Sequence, residues 1–236
     1  MKEGLKGVIF IPFFLLSIYF VSAQHLPVSS YGLPYINSIS LYSKSLVNHP
    51  EKQMVSLTQI PGIILDLRYA SANNFMHKKL YTENIKTTFL RRPAFQALDS
   101  VCTYLATRGL VLVIFDAYRP YTVTEALWKN VQDERYAANP AKGSGHNRGI
   151  AVDLTLADLK THKLLLMPTG FDNFSDTAHQ DFMALNPVVI ANRELLTHTM
   201  EKYGFTPLST EWWHFSWSHP EDFEVLDLGF GQLSKP

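Results

Sequence analysis

Apolar and polar positions along the chain follow two spacings, which predict strands and helices in mixed order. Short apolar or alternating runs predict strands at 63–70, 110–120, 149–156 and 210–217. Apolar residues recur at helical spacing in 91–109, 121–137 and 187–204. The elements do not follow a regular strand–helix–strand alternation. The pattern therefore predicts a single α+β domain with a central, largely antiparallel sheet flanked by helices. The stretches 24–55 and 157–186 are predicted to be irregular.

The first 23 residues are predicted to be a signal peptide. A positive start is followed by an apolar run at 7–21 and by the small-residue ending Val21-Ser22-Ala23. A membrane anchor is the alternative, but a span needs about 20 apolar residues, and Pro12 interrupts this shorter run. We therefore expect a mature domain at 24–236 that is exported, periplasmic or secreted, without stable membrane insertion after cleavage.

Charge and cysteine content narrow the classes of partner. Lys+Arg and Asp+Glu both number 21, so the formal net charge is zero and binding to nucleic acid is not expected. Cys102 is the single cysteine, which excludes a disulfide within the chain. It falls in the apolar pattern of a predicted helix, where a buried, unreactive thiol is expected. The sequence leaves the oligomeric state open.

Asp153 interrupts the apolar run 150–156, where a carboxylate is costly. A buried carboxylate neutralises, pairs with a cation or binds a metal. His146 lies seven residues upstream in a Gly/Ser/Asn-rich turn, and His214 follows Glu211 by three residues in the segment EWWHFSW. Two histidines and one carboxylate leave a position open on a zinc ion, as in catalytic zinc sites. Glu211 could then serve as a general base, provided that a bulge or turn brings it to the face of His214.

Three motifs together resemble a known enzyme family. They are SxHxxGxAxD at 144–153, ExxH at 211–214 and DAYRP at 116–120. The chain is similar in them to the zinc D-alanyl-D-alanine dipeptidases, which include the vancomycin-resistance dipeptidase and belong to the peptidase M15 superfamily. The resemblance implies one Zn²⁺ per chain at the sheet, held by His146, Asp153 and His214.

The same resemblance implies roles for four further residues. Glu211 would activate a zinc-bound water as general base, and Arg119 would steady the oxyanion that develops on the substrate. The segment MPTGFD at 167–172 is similar to the substrate loop of the family, so Asp172 would bind the ammonium of a dipeptide. Ser144 would add a hydrogen bond. The implied substrate is a small D,D-dipeptide, hydrolysed to free D-amino acids in cell-wall turnover or glycopeptide resistance.

Arg119 also has an interpretation that needs no resemblance. It follows a predicted buried strand and precedes Pro120, so a turn could aim its guanidinium rigidly. A structural ion pair with Asp116 is the alternative, and Asp116 could also orient Arg119. Arg148, inside the histidine motif, is predicted to be a structural or rim charge.

Three other functions compete with the dipeptidase. A peptidoglycan D,D- or L,D-carboxypeptidase of the same superfamily would share the ligands and have an open groove. An iron(II) oxygenase also uses two histidines and a carboxylate, although Glu211 would then have no task. A non-catalytic zinc or cell-wall binding module would be expected to lack Glu211 or Arg119, and both are present.

Overall fold

The computed structural model describes residue 1, residues 26–217 and residues 223–234. Apart from Met1, the predicted signal peptide lies outside the described residues. The strands are β1 (Tyr35–Ile36), β2 (Met54–Ser56), β3 (Ile64–Leu65), β4 (Phe89–Arg91), β5 (Leu110–Asp116), β6 (Ala151–Asp158), β7 (Phe205–Leu208), β8 (Glu211–Trp217) and β9 (Val225–Leu226). The helices are α1 (Ile39–Ser45), α2 (Arg92–Ala106), α3 (Tyr121–Val131), α4 (Gly145–Arg148), α5 (Pro187–Lys202) and α6 (Phe230–Leu233).

A five-stranded sheet in the order β3-β5-β6-β8-β7 forms the centre. Only the β3–β5 pair is parallel within it, and the other three pairs are antiparallel. The prediction of an α+β fold with a largely antiparallel sheet is confirmed. Two small pairs, β1–β9 and β2–β4, complete the described strands.

Helices α2 and α5 pack on one face of this sheet. Val152 and Leu154 of β6 belong to the apolar core on that face. Successive side chains of a strand point to opposite faces, so Asp153, between them, points away from this core. The apolar run therefore buries its neighbours and presents one carboxylate to the other face.

Two predicted elements are shorter than expected. The predicted strand 63–70 keeps only β3, and Arg68–Ala70 forms a 3₁₀ turn. The predicted helix 121–137 ends at Val131, because Gln132 adopts a left-handed conformation with φ of 48°. The segments that follow the shortened strand and the shortened helix each place a tyrosine at the cavity described below: Tyr69 and Tyr136, respectively.

The predicted irregular segments are only partly irregular. The lead-in contains β1, α1 and the start of β2, whereas residues 159–186 contain a single 3₁₀ turn, Asp176–Ala178. Cys102 is half-buried on α2, and burial raises the pKa of its thiol to about 12, which agrees with an unreactive cysteine. Within the described ranges, no helix is both long and apolar enough to cross a membrane.

Candidate active site and metal centre

His146 is positioned by α4, a single helical turn that sequence periodicity does not reveal. The Ser144 hydroxyl accepts from the Asn147 backbone N–H, and the Asn147 side chain accepts from the Ser144 N–H. The Asn147 amide also donates to the Arg119 carbonyl at 2.8 Å. Gly149 ends the turn with φ of 72°, a conformation that favours glycine. This small capped turn therefore fixes His146 against the end of β5.

Three acidic or imidazole side chains form a row across adjacent strands. Asp116 of β5 is in register with Asp153 of β6, which is in register with His214 of β8. The His214 Nδ1 lies 2.9 Å from Asp153 Oδ1, and the His146 Nε2 lies 3.4 Å from Asp153 Oδ2. His146 and His214 approach within 3.2 Å through the same two nitrogens. The predicted ligands thus form one cluster, which could hold a metal ion.

The cluster fits a tetrahedral ion of the size of zinc. Zinc bonds of about 2.0–2.1 Å imply ligand atoms about 3.3 Å apart, close to the observed separations. The outer nitrogens are engaged elsewhere, since His146 Nδ1 lies 2.7 Å from the Ala117 carbonyl and His214 Nε2 lies 3.1 Å from the Ser216 hydroxyl. Such outer bonds fix the tautomer of a metal-binding histidine. The Ala117 carbonyl can only accept, so the Nε2 lone pair of His146 faces the cluster. The Ser216 hydroxyl can accept from His214 Nε2 in the same way, which would leave the Nδ1 of His214 free for a metal.

Glu211 reaches the same cavity because β8 bulges. Pro207 of β7 faces Phe215, and the next residue, Leu208, faces Glu211. One step along β7 therefore corresponds to four along β8, and regular alternation is lost between Glu211 and His214. Both side chains line one cavity, as the expected bulge requires. Burial raises the pKa of the Glu211 carboxyl to about 8, within the range where a group can accept a proton near neutrality.

Arg119 is held from two sides. Its Nε and Nη2 donate to Asp116 Oδ2 at 2.9 and 2.8 Å, and its guanidinium carbon lies 4.9 Å from the centre of the Tyr69 ring. The predicted ion pair with Asp116 is therefore present, and Arg119 lines the cavity as well. Burial alone would lower the pKa of Arg119, but the Asp116 carboxylate raises it well above its usual value. The arginine stays charged and rigidly aimed.

Asp116 is itself oriented by a buried tyrosine. The Tyr81 hydroxyl donates to Asp116 Oδ1 at 2.5 Å, opposite to the oxygen that binds Arg119. Asp116 is fully buried, and burial raises the pKa of its carboxyl. Tyr81, Asp116 and Arg119 thus form a chain of hydrogen bonds that ends at the cavity.

Asp172 lies at another part of the cavity wall. Its Oδ1 accepts from the Tyr69 hydroxyl at 3.1 Å and its Oδ2 from the Phe75 backbone N–H at 3.4 Å. Burial, then the nearby Asp153 charge, raises the pKa of Asp172 to about 7. A buried carboxylate without a cation is costly, so this position suits a cationic group of a ligand. Ser144 also lines the cavity while it caps α4.

The cavity that joins these groups has a volume of about 200 Å³. This is less than the ~300–1,000 Å³ of pockets that take drug-sized ligands, so the site suits a small molecule. The structure brings all seven sequence-predicted site residues to its wall: Arg119, Ser144, His146, Asp153, Asp172, Glu211 and His214. Their chemical roles stay predictions.

Residues 50–222 match the Peptidase_M15 family, described as D-ala-D-ala dipeptidase. The chain belongs to this family. The D-alanyl-D-alanine dipeptidase of Escherichia coli (strain K12) is 35% identical over 185 residues, which cover 78% of this chain and 94% of that protein. The enzyme of the same name from Enterococcus faecalis (strain ATCC 700802 / V583) is 27% identical over 172 residues, which cover 65% of this chain and 85% of that protein. The protein is therefore a peptidase.

A solved LD-carboxypeptidase also resembles the chain in structure, at a distance. It is 16% identical and covers 84% of this chain and 90% of its own, with a TM-score of 0.43. A likeness this remote has no bearing on the substrate. The choice between dipeptidase and carboxypeptidase therefore depends on the cavity and on experiment.

Sequence reasoning overlooks several residues that shape this peptidase site. Tyr69 supports Arg119 and Asp172, and Tyr81 supports Asp116, yet neither stands in a recognisable chemical motif. Phe75 and Tyr136 line the cavity from segments without regular structure. A cue exists in the aromatic and Asn-rich segment 69–75, which begins a few residues after β3. Arg148, by contrast, is structural as predicted, since it donates to the Phe223 carbonyl at 2.7 Å.

Proposed function

We propose that the protein is a zinc-dependent dipeptidase that hydrolyses D-alanyl-D-alanine and related free D,D-dipeptides. One observation carries the proposal. A single small cavity joins the His146, Asp153 and His214 cluster to Glu211, Arg119 and the half-buried Asp172. A free dipeptide carries a scissile carbonyl and an ammonium a few bonds apart. The cavity wall offers the metal cluster, Glu211 and Arg119 to the carbonyl and the Asp172 carboxylate to the ammonium.

Each side chain then has a distinct task in the reaction. A zinc ion, when bound, supplies Lewis-acid chemistry to the water and the carbonyl. Glu211 accepts the proton of the attacking water and passes it to the leaving amine. Arg119 donates to the oxygen on which negative charge develops, and Asp172 pairs with the substrate ammonium. Ser144, whose hydroxyl oxygen accepts from Asn147, can donate its hydroxyl proton to the substrate.

The cavity also bears on the carboxypeptidase alternative. A stem peptide carries an amide, not an ammonium, at the nitrogen that a free dipeptide leaves charged. An amide does not neutralise the half-buried carboxylate of Asp172, whereas an ammonium does. The small volume and the position of Asp172 therefore favour the free dipeptide.

The decisive experiment incubates the purified protein with D-Ala-D-Ala and with a stem pentapeptide, each with and without chelator. Free D-alanine is measured, and the metal content is determined by mass spectrometry. We expect release from the dipeptide, inhibition by chelator and about one zinc per chain. Preferred release from the pentapeptide would establish a carboxypeptidase. Iron in place of zinc, with no D-alanine released, would favour an oxygenase, and zinc without hydrolysis of either peptide a binding module.

We further propose that the enzyme acts outside the cytoplasm, on cell-wall peptides. The signal-like pattern of residues 1–23 supports export, and D,D-dipeptides are components of cell-wall synthesis and turnover. N-terminal sequencing of the protein from its native host tests the proposal, with Gln24 as the expected first residue.

Arg119→Ala is expected to lower kcat by about 10²–10³-fold with a smaller change in KM, because its hydrogen bond to the oxyanion forms mainly in the transition state. Arg119→Lys should rescue little, since an ammonium cannot reproduce the two-point contact with Asp116. Steady-state kinetics on D-Ala-D-Ala and metal analysis check this. An increase in KM alone would make Arg119 a clamp for the substrate carboxylate instead.

Tyr81→Phe is expected to lower kcat about tenfold while KM changes little, because Asp116 loses the hydroxyl that orients it and Arg119 loses its alignment. Tyr42→Phe is a matched control. The Tyr42 hydroxyl also makes a buried hydrogen bond, from the Met54 N–H at 2.6 Å, but it lies on α1, away from the cavity. Both variants should lose stability, and only Tyr81→Phe should lose turnover. Equal kinetics in the two variants would leave Tyr81 a purely structural role.

Asp172→Asn is expected to stabilise the metal-free protein at pH 8, on the order of 1–3 kcal/mol. The pKa of Asp172 is about 7 in the fold and about 4 in an unfolded chain. The folded state therefore binds the proton more tightly, and its stability falls as pH rises from about 4 through 7. Asparagine removes this loss. Urea denaturation of both proteins at pH 5 and pH 8, with chelator, measures the difference, which should be larger at pH 8. The variant should also show a raised KM for free dipeptides.

A further inference from the structure

Three loops meet beside the cavity through their aromatic rings, two of which, Phe75 and Tyr136, line the cavity. The ring centre of Phe174 lies 5.0 Å from that of Phe75 and 4.8 Å from that of Tyr136. Phe75 follows the Asn-rich turn, Tyr136 belongs to the segment after α3, and Phe174 follows the MPTGFD segment. Each ring is half-buried. We name Phe75, Tyr136 and Phe174 the aromatic roof.

The aromatic roof adjoins the carboxylate that faces the cavity. The Phe75 N–H donates to Asp172 Oδ2, and Phe174 lies two residues after Asp172. Asp172 has φ of 59°, a left-handed conformation that is uncommon for a residue with a side chain. The loop therefore turns sharply between a carboxylate on the cavity wall and a ring in the roof. A group attached to an ammonium at Asp172 would meet the rings first.

The Tyr136 side of the aromatic roof is hydrogen-bonded to the hairpin of β7 and β8, which carries Glu211. The Thr210 hydroxyl, in the turn between β7 and β8, donates to the Arg135 carbonyl at 3.2 Å. The Arg135 guanidinium carbon lies 5.1 Å from the centre of the Tyr136 ring. These contacts hold Tyr136 beside the strand that carries Glu211, so the roof spans the cavity from the substrate loop to the hairpin.

We infer that the aromatic roof determines amino-terminal specificity by excluding peptides that are extended or acylated beyond the second residue from the carboxyl end. This inference rests on the proposed dipeptidase function. Phe75 and Tyr136 line the cavity together with Asp172, and Phe174, which is not part of the cavity wall, packs against both rings. A bulky substituent on the substrate nitrogen would therefore have to displace these ring contacts. Phe174 is the central ring, since it contacts both of the others.

The test separates size from charge with two competitors. N-formyl-D-Ala-D-Ala and N-benzoyl-D-Ala-D-Ala both lack the ammonium and differ in the bulk beside it. Their inhibition constants are measured against hydrolysis of free D-Ala-D-Ala by the wild-type enzyme and by Phe174→Ala. In the wild type the formyl compound should bind at least tenfold more tightly. In Phe174→Ala this preference should shrink by tenfold or more, while KM for the free dipeptide changes less than threefold.

Tyr104→Ala is the matched control. Tyr104 on α2 is a half-buried ring whose centre lies 6.0 Å from that of Tyr203, and it is not part of the cavity wall. The control should keep the wild-type preference. Phe174→Leu, a milder change, covers the case in which alanine destabilises the loop, and thermal melting identifies that case.

The outcomes of the test distinguish failure of the inference about the aromatic roof from failure of the proposed dipeptidase function. An unchanged preference in both Phe174 variants overturns the inference, as does failure of either competitor to bind Phe174→Ala. A wild type that does not hydrolyse D-Ala-D-Ala at all overturns the proposed function instead. Tighter inhibition by N-benzoyl-D-Ala-D-Ala in Tyr104→Ala as well would show that any loss of a ring loosens the protein. Such a result would contradict a specific role for the aromatic roof.

Discussion

Glu211→Gln should retain its bound metal and lose turnover by about 10²–10⁴-fold or more, the contribution of a general acid–base group. The glutamine keeps the size and hydrogen-bonding capacity of the side chain but cannot take up a proton. Glu211 belongs to no metal cluster among the described residues, where the candidate ligands are His146, Asp153 and His214. The substitution should therefore lower turnover without lowering the metal content.

Metal analysis and single-turnover kinetics on D-Ala-D-Ala together check this expectation. Glu125→Gln, the same change on α3 outside the cavity wall, should behave as the wild type. In the wild type, kcat/KM should fall as pH drops below the pKa of Glu211, because only the ionised carboxylate accepts a proton. A nearby cation lowers that pKa from about 8, so the midpoint should lie below this value. Loss of metal in Glu211→Gln would instead make Glu211 a ligand or its support.

His146→Ala, Asp153→Ala and His214→Ala should each abolish stoichiometric zinc and activity together. With two protein ligands left, the site should not hold an ion at ordinary free-zinc concentrations. Asp153→Ala should act most strongly, since it removes the negative charge that both histidines contact. Although burial opposes ionisation, the two histidines keep the pKa of Asp153 below its usual value.

Zinc per chain, measured after gel filtration, and thermal melting with and without added zinc are the readouts. The wild type should gain melting temperature with zinc, and the three variants should not. His198→Ala, which removes an exposed histidine on α5, is the control and should load normally. Full occupancy in any one of the ligand variants would remove that residue from the ligand set.

Much of this site could be predicted from the sequence, because a buried charge and the spacing of the motif residues are visible in the local pattern. A carboxylate inside an apolar run is enough to single out Asp153, and ExxH places Glu211 near His214 once a bulge is assumed. The ion pair of Asp116 with Arg119 is also visible, since i and i+3 residues meet readily at a turn. These features depend on local order along the chain.

The register between strands that are distant in sequence could not be predicted from the sequence. Asp116 lies beside Asp153 because β5 and β6 pair with a shift after Ile114, and no local pattern specifies that shift. Tyr81 and Tyr69 reach the site from segments whose shape depends on tertiary contacts. The predicted helix 121–137 is too long for a similar reason, since the left-handed turn at Gln132 diverts the chain to the cavity.

The bulge in β8 has a consequence for how this site can change through insertions and deletions. Trp212 and Trp213 occupy the extra length, both nearly inaccessible to solvent, and Trp212 is fastened to Thr169 through a 3.0 Å hydrogen bond. Exchanging either indole for another large ring would preserve the backbone path. Deleting one of them would leave Glu211 two positions from His214, a spacing at which regular alternation keeps both side chains on one face without a bulge, but Glu211 would then lose its present position relative to the metal cluster. The number of residues between Glu211 and His214 is thus more constrained than their identity.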